Sequence, residues 1–316
     1  MSAICEQVDA ALAGSRPALA RLLSIAERSG PELLEIEDRI SARVGNALVV
    51  GVTGPPGAGK STLINALLPH ALKDFDGVGV LAVDPSSPFS DGAILGDRVR
   101  MQGGEYGSSV FIRSMASRGE LGGLARAAST AMRLMDACGW SLIIIETLGI
   151  GQVELDVMNL ADTTLVVLNP GWGDTIQANK AGLTEAGDVF VINKADKPGA
   201  DVTRTDLLES LSLLNREPPP PVCQSTASTG DGVAELWTAL RDHQDYLEQS
   251  GQLDSARAHK QQLLVRRTIT HQLTHEVERL MDSDLATSML DQSTLGQLDL
   301  RQTVDRLLRE LARPRG

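Results

Sequence analysis

The octapeptide Gly54-Pro-Pro-Gly-Ala-Gly-Lys-Ser61 lies between an apolar run, Leu48 to Val52, and a helical pattern, Thr62 to Leu72. It is the Gly-x-x-x-x-Gly-Lys-Ser arrangement of a phosphate-binding loop, which demands a strand, a tight glycine turn and a helix in that order. Glycines let successive backbone N–H groups turn inward around phosphates, and the following helix presents its positive end. Lys60 reaches the outer phosphates, and the Ser61 hydroxyl suits Mg²⁺. Gly54, Pro56, Gly57, Ala58, Gly59, Lys60, Ser61 and Thr62 are therefore the expected phosphate-side residues of a nucleoside-triphosphate site.

The rest of the chain continues the alternation. Apolar runs at Leu48 to Val52, Gly79 to Asp84, Val110 to Ile112, Leu142 to Glu146, Thr164 to Leu168 and Val189 to Asn193 read as strands, most of them separated by helical stretches. Several are continuous Val/Ile/Leu segments of the kind buried on both faces, which predicts an α/β fold with a doubly wound, mostly parallel sheet. The ligand then belongs at the carboxyl ends of the strands, where Gly54, Asp84, Glu146, Pro170 and Asn193 fall. Ahead of the sheet, Ile4 to Ala13, Pro17 to Ser29 and Pro31 to Val44 read as short helices. After the four prolines at 218–221 and a short strand near Val222 to Gln224, the pattern turns helical: Val233 to Glu248, Ala256 to Met281 and Leu300 to Leu311. The second of these aligns Ile269, Leu273, Val277 and Leu280 on one face, a candidate for subunit contact. Expected boundaries are an N-terminal helical extension at 1–45, a nucleotide domain at 46–250 and a C-terminal helical region at 251–316.

The run Phe190-Val-Ile-Asn-Lys-Ala-Asp196 points to guanine. An apolar strand ending in Asn-Lys-x-Asp places the Asp196 carboxylate where it can accept from both N1–H and the exocyclic amine of guanine, a pairing adenine does not offer. Lys194 can lie over the nucleotide and Asn193 can tie this loop to the phosphate loop. The same tetrapeptide is also good turn chemistry, so its weight comes from following a phosphate loop in a strand–helix alternation.

Two further segments carry acids at the expected nucleotide edge. The glycine- and serine-rich stretch from Leu81 to Met101 holds Asp84, Asp97, Arg98 and Arg100 and reads as a switch loop. A carboxylate at a strand end can bind Mg²⁺ directly or through its water, and a mobile arginine such as Arg100 can neutralise charge on a transferring phosphoryl group. Capping of the turn is the alternative for Asp84 and Asp97. Glu146-Thr-Leu-Gly149 stands where guanine-nucleotide hydrolases carry Asp-x-x-Gly: Glu146 can hold a metal-bound water and the Gly149 N–H can contact a γ-phosphate. Gln152 is not assigned to water positioning, because its offset from the glycine differs from the usual one.

Composition excludes other classes. The 316 residues, 42 % of them hydrophobic, suffice for a sizeable core. A formal charge of −12 and the lack of a basic cluster interleaved with aromatics argue against nucleic acid as partner. No apolar stretch approaches a membrane span. The N-terminal residues carry neither a signal-peptide core nor an Arg-rich transit pattern, which predicts a cytoplasmic location. Cys5, Cys138 and Cys223 are scattered and read as reduced thiols.

Together these residues resemble the MeaB-type P-loop GTPases, also called ArgK or methylmalonic aciduria type A proteins, which chaperone adenosylcobalamin-dependent acyl-CoA mutases. The most specific likenesses are Val83-Asp-Pro-Ser-Ser with Ala93-Ile-Leu-Gly-Asp-Arg98, Phe111-Ile-Arg-Ser114 with Gly119-Glu-Leu-Gly-Gly123, Glu146 to Gln152, Gly171-Trp-Gly-Asp174 through Gln177 and Lys180, and Asn193 to Asp196. The resemblance implies a Mg²⁺-dependent GTPase that binds GTP and GDP. Lys60, Asp97, Arg100, Glu146 and Gly149 would be catalytic, with Ser61, Asp84, Asp97 and Glu146 around the metal. Asn193, Lys194 and Asp196, with Thr226, Ala227 and Ser228, would sit around guanine. Gly171 to Gly182 would be a third switch that transmits nucleotide state to the mutase. Adenosylcobalamin would enter only through that partner, and the chain would be a homodimer through its C-terminal helices. Trp172 and Asp91 depart from the residues common in the family at these positions, and Leu148 and Ile150 replace valines. Two alternatives stand beside this: a nickel- or other metal-insertion GTPase, suggested by His271 and His275 at i, i+4 spacing, and an ATP-driven kinase linked to amino-acid transport, the activity attached to the ArgK name.

Overall fold

The apolar run ahead of the glycine loop forms β1 (Leu48–Thr53), buried along its whole length. It is followed by β2 (Val78–Asp84), β3 (Val110–Ala116), β4 (Leu142–Thr147), β5 (Thr163–Leu168), β6 (Val189–Asn193) and β7 (Val222–Ser225). The computed structural model of the chain describes residues 2–28, 32–84, 106–116, 123–147, 149, 158–171, 184–214 and 216–312, with the backbone alone at 84, 116, 123–126, 264, 267, 268, 271 and 275. The strands form one sheet in the order β3-β2-β4-β1-β5-β6-β7, every neighbouring pair parallel. β1 is central, and the chain crosses from one side of it to the other between β4 and β5. Such a reversal leaves a crevice at the carboxyl ends of the strands.

Helices cover both faces. Among the described residues they are α1 (Ala3–Leu12), α2 (Arg16–Arg28), α3 (Glu32–Ile40), α4 (Lys60–Asp74), α5 (Gly123–Ala137), α6 (Ala200–Ser212) and α7 (Val233–Gln249). Alternation along the strands divides the apolar residues. Val50, Val52, Leu142 and Ile144 pack with Leu63 and Leu67 of α4 and Leu236 and Leu240 of α7. Val49, Ile143 and Ile145 pack with Leu19, Leu22 and Leu23 of α2, Ile36 of α3 and Leu134 of α5. The first three helices thus share a continuous core with the sheet, and residues 1–257 form one compact unit.

Several boundaries differ from the local reading, those of α3 and β3 among them. The third helix ends at Ile40 instead of running to Val44, and Ser41–Arg43 tightens into a 3₁₀ turn. The reason lies 90 residues away: the Asp136 carboxylate accepts from the N–H groups of Asn46 (3.2 Å) and Ala47 (2.9 Å) and from that of Gly45, drawing the backbone out of helix. β3 runs on to Ala116 because its pairing with β2 continues to Asp84.

Residues 258–316 form the second unit. It contains most of α8 (Gln252–Met281), then α9 (Asp284–Thr294), not anticipated from the sequence, and α10 (Leu300–Leu311), whose N-terminus carries a capping box between Asp299 and Gln302. No helix among the described residues is long and apolar enough to cross a membrane.

Candidate functional site

The glycine loop closes on itself at the end of β1. Gly54 (φ +146°) passes so near β5 that a Cβ there would lie 2.0 Å from the Val167 carbonyl oxygen, and at Gly59 (φ +90°) it would lie 2.5 Å from Asn193 Nδ2. No side chain fits either position. Gly59 is also the left-handed N-cap of α4, so the helix starts at Lys60 with its first N–H groups directed at the crevice. Lys60 is 5 % exposed, and its Nζ donates to the carbonyls of Gly54 (2.7 Å) and Pro55 (3.1 Å). The ammonium is held beneath the loop, where an incoming phosphate would meet it.

β4 brings Glu146 alongside. The Ser61 hydroxyl donates to Glu146 Oε1 at 2.5 Å, while Oε2, equally buried, has no hydrogen-bond partner among the described residues. Oxygen donors with an unsatisfied carboxylate atom are the chemistry of a hard cation or its bound water. Beyond the strand, the Gly149 carbonyl accepts from Thr53 Oγ1 at 3.2 Å. Neither Thr53 nor Thr147 was singled out from the sequence. The available signal was parity: both end their strands on the face opposite Glu146.

On the other side of β1, Asn193 ends β6 with its side chain 2 % exposed. Its Nδ2 donates to the Ala58 carbonyl (2.9 Å), and its Oδ1 accepts from Ala227 N–H (3.1 Å) and Ser225 Oγ (3.3 Å). Lys194, at φ +58° the only left-handed non-glycine residue among those described, donates from Nζ to the Gly57 carbonyl at 2.7 Å. Asp196 and Ser228 are exposed, and the N–H of Thr226 donates to the Asp231 carbonyl in a closed turn. The residues of the Asn-Lys-x-Asp turn, the loop at 226–228 and the glycine loop thus adjoin one another at one edge of the sheet.

Asp97, Arg100, Asp91, Gln152 and residues 172–182 of the expected third switch lie outside the described residues. Asp84 is placed by its backbone at the end of β2, and Thr62 follows Ser61 in the first turn of α4. The side chains of His271 and His275 also lie outside the described residues, and among those described no cluster of three or more His, Cys, Asp or Glu residues is placed to hold a metal ion. The three cysteines are unpaired; burial pushes the Cys138 thiol up to about 11 and raises Cys223 as well, so both stay protonated at neutral pH.

A central parallel strand, a left-handed glycine loop over a helix N-terminus and a buried lysine beneath it define a P-loop nucleoside triphosphatase. A family model described as Methylmalonyl Co-A mutase-associated GTPase MeaB matches residues 19–282. A protein of Pyrococcus abyssi, provisionally named a GTPase, is 42 % identical over 313 residues, covering 98 % of this chain and 97 % of its own length. GTPase ArgK of Escherichia coli is 37 % identical over 254 residues, covering 77 % of each. A solved structure described as a LAO/AO transport system kinase matches with a TM-score of 0.70 at 26 % identity, over 98 % of both chains. The chain belongs to the MeaB family, the methylmalonyl-CoA mutase-associated GTPases, and is itself a GTPase.

Proposed function

We propose that this GTPase is Mg²⁺-dependent and serves as chaperone to an adenosylcobalamin-dependent acyl-CoA mutase, methylmalonyl-CoA mutase or a relative, gating the loading, protection or reactivation of that enzyme's cofactor. Family membership over residues 19–282 carries the mutase part of this reading. Adenosylcobalamin belongs to the partner.

The Ser61 and Glu146 oxygens, with the unsatisfied Glu146 Oε2, fit Mg²⁺, with Asp84 and Asp97 as further ligands directly or through water. Bound there, the ion neutralises charge on the β- and γ-phosphates. Lys60 exchanges its loop carbonyls for phosphate oxygens, and the amides of Gly57, Gly59 and Ser61 surround them. Asp196 pairs with guanine, Lys194 flanks it, and the loop at Thr226 to Ser228 closes over it. Water attacks the γ-phosphorus, the bond to the bridging oxygen breaks, and GDP and phosphate result. The Gly149 N–H contacts the γ-phosphate; the glycine loop carries Lys60 but no arginine, so Arg100 or a residue of the mutase adds the second cation and basal turnover without it is low.

Homodimerisation is part of the same reading. Val265, Ile269, Leu273, Val277 and Met281, four residues apart on α8, are each 40–53 % exposed, an apolar stripe suited to a second copy. The three unpaired cysteines suit the reducing cytoplasm. Residues 171–182 act as the switch that the mutase senses.

The test is co-elution of the purified chain with a cobalamin-dependent mutase in GTP and in GDP, together with hydrolysis in the presence of the mutase. Nucleotide-dependent association is expected, and its absence with every such mutase of the source organism would refute the chaperone role. The likeness to the structure described as a transport system kinase favours a second reading, an ATP-driven kinase, which preferential ATP turnover would support.

A further inference from the structure

Two threonine hydroxyls sit under Gly149, and no motif accounts for them. Thr53 ends β1 and Thr147 ends β4, neighbouring strands in the sheet. They are 1 % and 0 % exposed. Strand alternation puts both on the face of Val49, Ile143 and Ile145, away from α4. Thr147 Oγ1 lies 3.1 Å from Thr53 Oγ1, and the Gly149 carbonyl oxygen lies 3.2 Å from Thr53 Oγ1 and 3.4 Å from Thr147 Oγ1. Each hydroxyl has one proton. Two assignments use both: Thr147 to the Thr53 oxygen with Thr53 to the Gly149 carbonyl, or both hydroxyls to that carbonyl, and each of them needs the Gly149 oxygen. Among the described residues no other acceptor bonds to either hydroxyl, so without that carbonyl the pair satisfies only one proton between them, and the other is left unpaired in a buried place.

We propose that Thr53 and Thr147 are positioning residues for Gly149. The hydroxyl pair holds the backbone after β4 against the end of β1, one residue from Gly54, and so sets the Gly149 amide in advance for the terminal phosphate. This rests on the reading of Gly149 as a γ-phosphate contact. Because one arrangement satisfies both protons and the other strands one, the pair favours a single seated position over a continuum. A triphosphate and the hydroxyl pair then bias the same equilibrium in the same direction. GDP, which lacks the γ-phosphate, is indifferent to it.

The experiment uses the full chain with Thr53→Val, Thr147→Val, the double variant and both serine variants. It reads affinities for GDP and for a non-hydrolysable GTP analogue, single-turnover GTP hydrolysis, and thermal unfolding. The preference for the analogue over GDP, and the single-turnover rate, are expected to fall least in Thr147→Val, which keeps the Thr53–Gly149 bond. They fall further in Thr53→Val, where Thr147 can still reach the carbonyl, and by roughly fivefold or more in the double variant. GDP affinity stays unchanged and the serine variants restore the parent values. Should the double variant unfold, Thr53→Val against Thr53→Ser decides the matter alone. Full preference in the double variant, or equal loss of GDP and analogue affinity, overturns the proposal. If the parent chain itself shows no preference for the analogue over GDP, the γ-phosphate reading fails. If the parent shows that preference and the valine variants keep it, only the hydroxyl pair is wrong.

Discussion

Asn193 donates from its side-chain Nδ2 to the carbonyl of Ala58 at 2.9 Å, joining the end of β6 to the glycine loop after β1. The other end of the same carboxamide accepts from Ala227 N–H. One buried side chain therefore ties together three loops that come from three strands.

Replacing Asn193 by Ala is expected to destabilise the protein by about 2–4 kcal/mol, because the Ala58 carbonyl and the Ala227 N–H lose partners where water does not reach. Urea unfolding measures this. GTP affinity should fall with it by roughly tenfold, since the loops no longer hold a common geometry; a variant as stable as the parent would show that the tie is incidental.

Lys60→Ala should lower kcat/KM for GTP by roughly 10²-fold or more, the scale on which loss of one charge-stabilising donor is felt. The ammonium is already buried and aimed from beneath the loop, so little reorganisation compensates for its removal. Steady-state hydrolysis and nucleotide titration check it, and parent-like values would refute the assignment of the phosphate site.

Asp196→Asn tests base recognition. The amide nitrogen faces a donor on guanine but finds an acceptor in the 2-oxygen of xanthine, so GTP should bind roughly 10²-fold more weakly and xanthosine triphosphate should be gained. Competition binding with the two nucleotides decides it. The exposed position of Asp196 makes a folding defect an unconvincing excuse for a negative result.

His243 should make stability fall in mild acid. Burial holds its imidazole below the ordinary value of 6.5, outweighing the Asp188 carboxylate 3.9 Å away, while Arg216 adds to the depression. Below pH 6.5 the unfolded chain therefore binds more protons at this site than the folded one. The contribution is present above that pH and is lost as pH falls through the folded value. His243→Gln, which can still bond the Thr163 hydroxyl, is expected to flatten this part of the curve in urea unfolding between pH 7.5 and 5; parallel curves would assign the acid sensitivity elsewhere.

If the chain dimerises through α8 as proposed, the parent elutes as a dimer and Ile269→Glu together with Leu273→Glu should make it a monomer, because charges would replace the middle of the exposed stripe. Light scattering on the eluted protein reads the mass directly. An unchanged mass would remove α8 from the interface.

The glycine loop, the parallel-sheet class and the strand limits at β1, β5 and β6 were legible because each is a local pattern: a turn that only glycine permits, or an apolar run bounded by breakers. The end of α3 was not, since Asp136 draws the chain out of helix from far along the sequence. Nor was α9 read, although its N-cap Ser283, whose hydroxyl accepts from Ala286 N–H, is a local signal. By itself the sequence determined that a triphosphate loop, an Asn-Lys-x-Asp turn and a Glu-x-x-Gly segment exist, and that they belong at strand ends. Only the tertiary structure decided that Glu146 meets Ser61, that Asn193 meets Ala58, and that Thr53 and Thr147 share the Gly149 carbonyl. Those contacts follow from the strand order that seats β1 between β4 and β5. Strand order is set by the burial of two distant faces at once, and no local propensity encodes it.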